Sequence, residues 1–117
     1  KNLPLTESEF NEWGNPNKYK TYYDYILSYS PYDNINLKKK YPHIYIESGM
    51  NDSQVTFHEP LKYFAKLKQN LYFKNNQKQL LLHMRKDSGH SGSSQRYHQM
   101  NEEAKIISFI LKMNCQY

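Results

Sequence analysis

The chain has 117 residues, a formal net charge of +5, and 38% hydrophobic and 15% aromatic residues. This length is that of one domain, and no apolar run approaches the roughly 20 residues that span a bilayer, so no membrane association is expected. The basic residues are dispersed except for Lys38-Lys39-Lys40, whereas nucleic-acid binding favours a clustered basic stripe, which argues against that class of partner.

The first third of the chain is predicted to be helical. Thr6 and Glu9 have the spacing of a helix capping box, which predicts a short helix over Glu7–Glu12 that ends at Gly14-Asn15-Pro16. Apolar positions at helical spacing predict a second helix over Lys18–Tyr29. These positions are Tyr22, Tyr25, Ile26 and Tyr29.

The remainder alternates between strands and helices. Residues 42–48 are predicted to form a strand and residues 59–70 a helix with Pro60 in its first turn. The apolar run Leu80–Met84 predicts a second strand that is buried on both faces. Residues 95–112 predict a long helix whose core face contains Tyr97, Met100, Ala104, Ile107 and Leu111.

This order of elements predicts an α/β fold: a helical N-terminal segment, then strand-helix-strand-helix with the two strands parallel. A connection of about 30 residues between the strands is typical of a right-handed parallel crossover. Two parallel strands alone make a small sheet, since parallel sheets are usually larger and covered by helices. We therefore expect the 117 residues to be part of a larger domain.

Polar turns follow both predicted strands. Asp52 lies just beyond the first strand, behind Gly49, and His90 lies beyond the second, in Ser88-Gly89-His90-Ser91-Gly92. The carboxyl ends of parallel strands are where open α/β sheets place their ligands and chemistry. An Asp followed by a His matches the last two members of the Ser-Asp-His order of α/β hydrolases.

Each of these residues also has a simpler interpretation. Asp52 alone could cap a turn or a helix, and His90 alone could be a surface-loop histidine. Ser91 is a poor nucleophile candidate, because Ser93 stands where the elbow motif G-x-S-x-G needs its second glycine. The other histidines show no metal-ligand spacing with Cys115 or a carboxylate cluster, so packing or exposure is expected for His43, His58, His83 and His98.

Ordered motifs along nearly the whole chain resemble the C-terminal part of the catalytic domain of the prolyl oligopeptidase family of serine peptidases, in its oligopeptidase B branch. The motifs are Pro4-Leu5-Thr6, Glu12-Trp13-Gly14-Asn15-Pro16, Tyr29-Ser30-Pro31-Tyr32-Asp33-Asn34, Tyr41-Pro42-His43, Gly49-Met50-Asn51-Asp52-Ser53-Gln54-Val55, Glu59-Pro60 and Ser88-Gly89-His90-Ser91-Gly92. The resemblance implies that residues 1–117 are the C-terminal portion of an α/β-hydrolase fold.

The resemblance further implies that Asp52 is the catalytic aspartate and His90 the catalytic histidine. The nucleophilic serine, the oxyanion-hole residues and a β-propeller would lie upstream of Lys1. Cleavage after Arg or Lys in short peptides is then expected. Gln54 stands where prolyl oligopeptidase itself carries an arginine, which weakens a proline-specific interpretation. No cofactor or metal is implied.

Further expectations concern the isolated chain and its alternatives. It should be inactive without the serine, and it should self-associate through the open strand edge at Ile44–Glu47 or by exchange of an element. Its single cysteine, Cys115, is compatible with a cytoplasmic location. The competing functions are a basic, tyrosine-rich module that binds single-stranded nucleic acid and a non-catalytic interaction protein with a hydrolase-like scaffold.

Overall fold

Two parallel strands form the centre of the computed structural model, which describes residues 7–86, 89 and 96–115. Strand β1 covers Ile44–Gly49 and strand β2 covers Leu80–Arg85. Their register pairs Ile44 with Leu80 at one end and Gly49 with Arg85 at the other. Both strands therefore end at the same edge of the sheet, as the sequence predicts.

Five helices accompany this sheet among the described residues. They are α1 (Phe10–Trp13), α2 (Lys20–Tyr29), α3 (His58–Leu67), α4 (Leu71–Lys74) and α5 (Arg96–Asn114). Helix α3 packs against both strands and lies in the connection between them, so the parallel crossover is confirmed. The first predicted helix is three residues too long at its start: residues 7–9 form a turn, and Glu9 precedes α1 without a side-chain cap. Thr6 lies outside the described residues.

Helix α4 is a single turn that the sequence pattern did not predict. Asn70 precedes it, and its side-chain oxygen accepts a hydrogen bond from the Tyr72 amide at 3.0 Å. The same side chain is fully buried and donates to the carbonyls of Asn36 and Lys39 at 3.0 and 2.9 Å. These long-range bonds satisfy the buried side-chain amide of Asn70, which would cost about 1–3 kcal/mol if it were left unpaired. Tertiary contacts, rather than local propensity, therefore stabilise this turn.

The tyrosine-rich helix α2 is correctly placed, but it buries no residue. Tyr25 is 65% exposed, and it meets Tyr29 edge-to-face with ring centroids 5.3 Å apart. Tyr22 lies directly over Gly14, where a Cβ would come within 2.4 Å of the ring. Gly14 also has a φ of 86°, a left-handed conformation that glycine adopts without strain. Apart from this contact, the expected packing of the tyrosine stripe is not seen within residues 7–86.

The side of helix α5 that faces the sheet carries both ionic and aromatic residues. Glu102 is 2.8 Å from His83 on β2, and Phe109 packs on Tyr45 of β1 with centroids 5.5 Å apart. The predicted core face points elsewhere, since Met100 and Leu111 are 54% and 57% exposed. The predicted core side of α5 was therefore wrong for this chain: the sheet contacts a neighbouring side that carries Glu102, Lys105 and Phe109.

The chain leaves an unusually large surface uncovered. Its accessible area is 9093 Å², whereas a compact protein of its mass exposes about 6,700 Å². Leu67 and Phe73 are the only buried hydrophobic residues among those described. Leu81 is 44% exposed, which contradicts the predicted burial of β2 on both faces: it lies in an open groove of about 580 Å³ beside α5. No helix in the described part of the chain is both long and apolar enough to cross a membrane.

Candidate active site

Asp52 is held in a tight turn three residues after β1 ends. One carboxylate oxygen, Oδ1, accepts hydrogen bonds from the amides of Gln54 and Val55 at 2.9 and 2.8 Å. The Asp52 amide in turn donates to the carbonyl of Gly49 at 3.4 Å. The turn-capping interpretation of Asp52 is thus realised. It is compatible with catalysis, because the same two amides fix the orientation of the half-buried carboxylate.

The loop that follows β2 is joined to the Asp52 loop. The Met50 amide donates to the carbonyl of Arg85 at 2.9 Å, and the Asn51 side chain donates to the carbonyl of Lys86 at 3.4 Å. A Cβ placed on Gly89 would lie 3.5 Å from the Asn51 carbonyl oxygen. The residue before His90 therefore lies beside the residue before Asp52.

His90 itself and Ser91 lie outside the described residues, so the distance from Asp52 to His90 stays a prediction. Strand β2 ends at Arg85, six positions before Ser91. A nucleophile elbow needs a strand that runs directly into the serine turn. Pairing of Asp52 and His90 remains the interpretation that this edge of the sheet favours.

The remaining histidines are all described, and three behave as expected. His58 is exposed and stacks on Phe57 with centroids 3.9 Å apart, and His98 is exposed on α5. His43 accepts a hydrogen bond from the Gln79 amide at 2.9 Å, next to the start of both strands. Burial, and secondarily the charge of Lys78, lowers the pKa of His43.

His83 was wrongly predicted to lack a carboxylate cluster. Its Nε2 is 2.8 Å from Oε2 of Glu102 and 3.1 Å from Nζ of Lys105. Lys105 also donates to Oε1 of Glu102 at 2.8 Å. Glu47 lies opposite His83 in the strand register, and its Oε1 is 3.6 Å from Nε of Arg85. We call these five side chains the ionic cluster.

Glu102 is the ionised centre of this cluster. Its pKa is lowered to about 2, mainly by the hydrogen bond from Lys105, with further donation from Glu47 and His83. The pKa of Glu47 is raised, first by burial and then by its hydrogen bond to Glu102. A carboxylate that accepts several hydrogen bonds favours its charged form, which keeps Glu102 ionised.

The cluster also has the composition of a metal site. Ligand atoms of Glu47, His83 and Glu102 all lie within 4.8 Å of one another. Lys105 and Arg85 already balance the two carboxylates, however, and Lys105 occupies the space beside the imidazole. A divalent cation would have to displace these cations, so an ion-pair network explains the donor set better.

The comparisons with known proteins agree with this geometry. The profile of the prolyl oligopeptidase family matches residues 1–115. The chain belongs to the prolyl oligopeptidase family. This finding confirms the family predicted from the ordered motifs.

Related proteins also match over nearly the whole chain. Dipeptidyl aminopeptidase BI of Pseudoxanthomonas mexicana is 42% identical, and Protease 2 of Moraxella lacunata is 41% identical, each over 93% of this chain. The solved structure of oligopeptidase B from Leishmania major is 40% identical, with a TM-score of 0.82 over 94% of this chain. The α/β-hydrolase fold predicted for this portion is therefore confirmed.

The 117 residues correspond to only a small part of each of these proteins. The 117 residues span 14% and 15% of the two relatives and 15% of the solved chain. The matched part of this chain contains the Asp52 turn and the contact between Gly89 and Asn51.

Proposed function

We propose that this chain supplies the aspartate and the histidine of a serine-type oligopeptidase, with the nucleophilic serine contributed by residues upstream of Lys1. The observation that carries the proposal is the junction of the two loops beyond β1 and β2, where Gly89 lies against Asn51. That junction brings the neighbours of Asp52 and His90 together at the carboxyl edge of the sheet. Membership of the prolyl oligopeptidase family supports it.

The chemistry then follows from the two side chains. His90 takes the proton from the serine hydroxyl as it attacks the peptide carbonyl, and later delivers that proton to the leaving amine. Asp52 accepts the Nδ1–H of His90, which fixes the tautomer and stabilises the imidazolium. The amides of Gln54 and Val55 hold the aspartate in the orientation this role needs. No metal or cofactor takes part in this reaction scheme.

The proposed substrates are short peptides cleaved after Arg or Lys. The similarity to an oligopeptidase B structure supports this preference, and Gln54 weakens a preference for proline. A second candidate activity is removal of dipeptides from a free N-terminus. It is favoured by the 42% identity to a protein named dipeptidyl aminopeptidase BI, which is close to the 40% identity to oligopeptidase B.

One assay on the full-length protein and on residues 1–117 tests these proposals. The full-length protein should hydrolyse a fluorogenic peptide with a blocked N-terminus and an Arg-Arg cleavage site faster than the matching peptide that ends in proline. Residues 1–117 alone should show no turnover, because general-base catalysis has no serine to act through.

Four outcomes would contradict parts of the proposal. Faster release from an unblocked dipeptide substrate would favour the aminopeptidase activity. Turnover by residues 1–117 that the Ser91→Ala substitution abolishes would place the nucleophile at Ser91. Absence of turnover by the full-length protein with every peptide would favour the non-catalytic scaffold. A salt-sensitive shift of a labelled oligonucleotide would instead favour the nucleic-acid module.

Self-association of the isolated chain is a separate proposal. Its support is the large uncovered surface and the apolar side chains left exposed on α2, α5 and β2. An unpaired edge at Ile44–Glu47 offers backbone groups to a second copy. Sedimentation velocity at rising concentration should show dimers or larger species, and a single monomeric boundary at every concentration would disprove it. The full-length protein serves as the control, because its own elements should cover this surface.

The described residues add no support for the expected location in the cell. A cytoplasmic location remains a prediction that rests on the single cysteine, Cys115, which is exposed.

A further inference from the structure

We propose that the ionic cluster of Glu47, His83, Arg85, Glu102 and Lys105 is a positioning device that sets the His90 loop against Asp52. The inference deepens the proposed function and rests on it. The cluster joins β1, β2 and α5, which are the three elements that carry the two loops.

The first support is where the cluster lies along the chain. The His90 loop begins after Arg85, the last residue of β2, and ends at Arg96, the first residue of α5. Arg85 belongs to the cluster, and Glu102 enters it from the second turn of α5. The two described elements that flank His90 in the sequence, β2 and α5, are therefore joined by one set of side chains.

The second support is the connection to the aspartate. Glu47 lies two residues before the end of β1. Its carboxylate lies 3.6 Å from Arg85 on β2 and within 4.8 Å of the Glu102 carboxylate on α5. Beyond that point β1 leads directly into the Asp52 turn. A shift of α5 relative to the sheet would therefore move the His90 loop relative to Asp52.

The third support is that α5 has few other described attachments to the sheet. Phe109 packs on Tyr45, two turns beyond Glu102, but α5 buries none of its own residues. In the N-terminal half of α5, the short contacts to the sheet are those of Glu102 and Lys105 to His83, at 2.8 and 3.1 Å. Because both Glu102 and Glu47 are more than four-fifths buried, these contacts are only weakly screened by water.

The cluster does not touch the reacting groups, so its effect should be on geometry. Misplacing a catalytic group by about 1 Å can cost about 10²-fold in rate. In the full-length protein, Glu102→Gln should lower kcat by about 10²-fold and leave KM nearly unchanged. Glu103→Gln is the matched control, since Glu103 is the adjacent exposed carboxylate on the same helix.

A spectroscopic readout separates positioning from general stability. The hydrogen bond between Asp52 and His90 should give a far-downfield proton resonance in the wild-type and Glu103→Gln proteins. Glu102→Gln should shift or abolish that resonance at a temperature where circular dichroism shows the protein is folded. Where Glu102→Gln does not fold, Lys105→Met gives the same test at a more exposed position, and Lys105→Arg should restore the resonance and most of kcat.

The outcomes separate this inference from the proposed function. An active wild-type protein whose folded Glu102→Gln and Lys105→Met variants keep full kcat and an unchanged resonance would overturn the positioning role and leave the peptidase intact. A wild-type protein without peptidase activity would overturn both. The positioning role would also be overturned if the wild-type protein bound Zn²⁺ alone tightly and Glu102→Gln abolished that binding. That result would show that the cluster is a metal site.

Discussion

Replacing His90, the proposed general base, with alanine in the full-length protein is expected to lower kcat by about 10⁶-fold, since triad members act as a unit and loss of the histidine costs about as much as loss of the whole triad. The proton of the serine hydroxyl would then have no base within reach, and the leaving amine would have no acid. Residual turnover should come from substrate binding and the oxyanion hole alone.

His98→Ala is the matched control for this substitution. His98 is an exposed histidine on α5, eight positions along the chain, so its loss should change kcat by less than about twofold, as is usual for exposed sites. Peptide hydrolysis measured below and above KM checks both variants. A His90→Ala protein that retains a tenth of wild-type kcat would remove His90 from the proposed mechanism.

The parts of the fold that periodicity determines were predictable. The apolar runs at Ile44 and Leu80 located both strands within two residues, and the one-sided apolar pattern of residues 59–70 located α3. Helix α4 was missed because one turn carries no periodic signal. Its stability comes from Asn70, whose partners Asn36 and Lys39 lie more than 30 residues away.

The orientation of elements was less predictable than their existence. A hydrophobic stripe on α5 predicts a buried face, but the sheet contacts Glu102 and Lys105 instead. The stripe is therefore available to cover other parts of a larger domain, in keeping with the short span of this chain relative to its family. A rule that assigns apolar faces to the core holds only when all of the core is present.

Part of the ionic cluster could have been predicted from the sequence. Glu47, His83 and Arg85 are the acidic and basic residues of two mainly apolar strands, and buried ionisable groups need partners. Aligning the two parallel strands from their first apolar residues places Glu47 directly opposite His83. The contribution of Glu102 was not accessible in this way, because it depends on how α5 rotates about its axis.

The approach of the two loops that carry the candidate catalytic pair was expected for a different reason. Both residues follow the ends of strands, and the apolar runs that locate the strands also locate their ends. The structure adds the contact of Gly89 with Asn51, which brings the two loops together. The sequence alone does not give the distance between the two loops.

Asp52→Asn in the full-length protein should lower kcat by about 10⁴-fold while leaving the fold unchanged. The asparagine side-chain oxygen can still accept the hydrogen bonds from Gln54 and Val55 that shape the turn. Its amide cannot stabilise the imidazolium, and it favours the wrong tautomer of His90. Because the turn survives, the lost activity would measure the carboxylate's electrostatic role rather than its structural one.

Two further variants separate those roles. Asp52→Ala removes the turn bonds as well, so it should lower both kcat and the midpoint of thermal unfolding, whereas Asp52→Asn should lower kcat alone. Asp24→Asn is the control, because Asp24 pairs with Lys20 on the exposed surface of α2, where an ion pair contributes little to stability. Equal kcat values for Asp52→Asn and the wild type would show that Asp52 only caps its turn, and the catalytic carboxylate would then have to come from elsewhere.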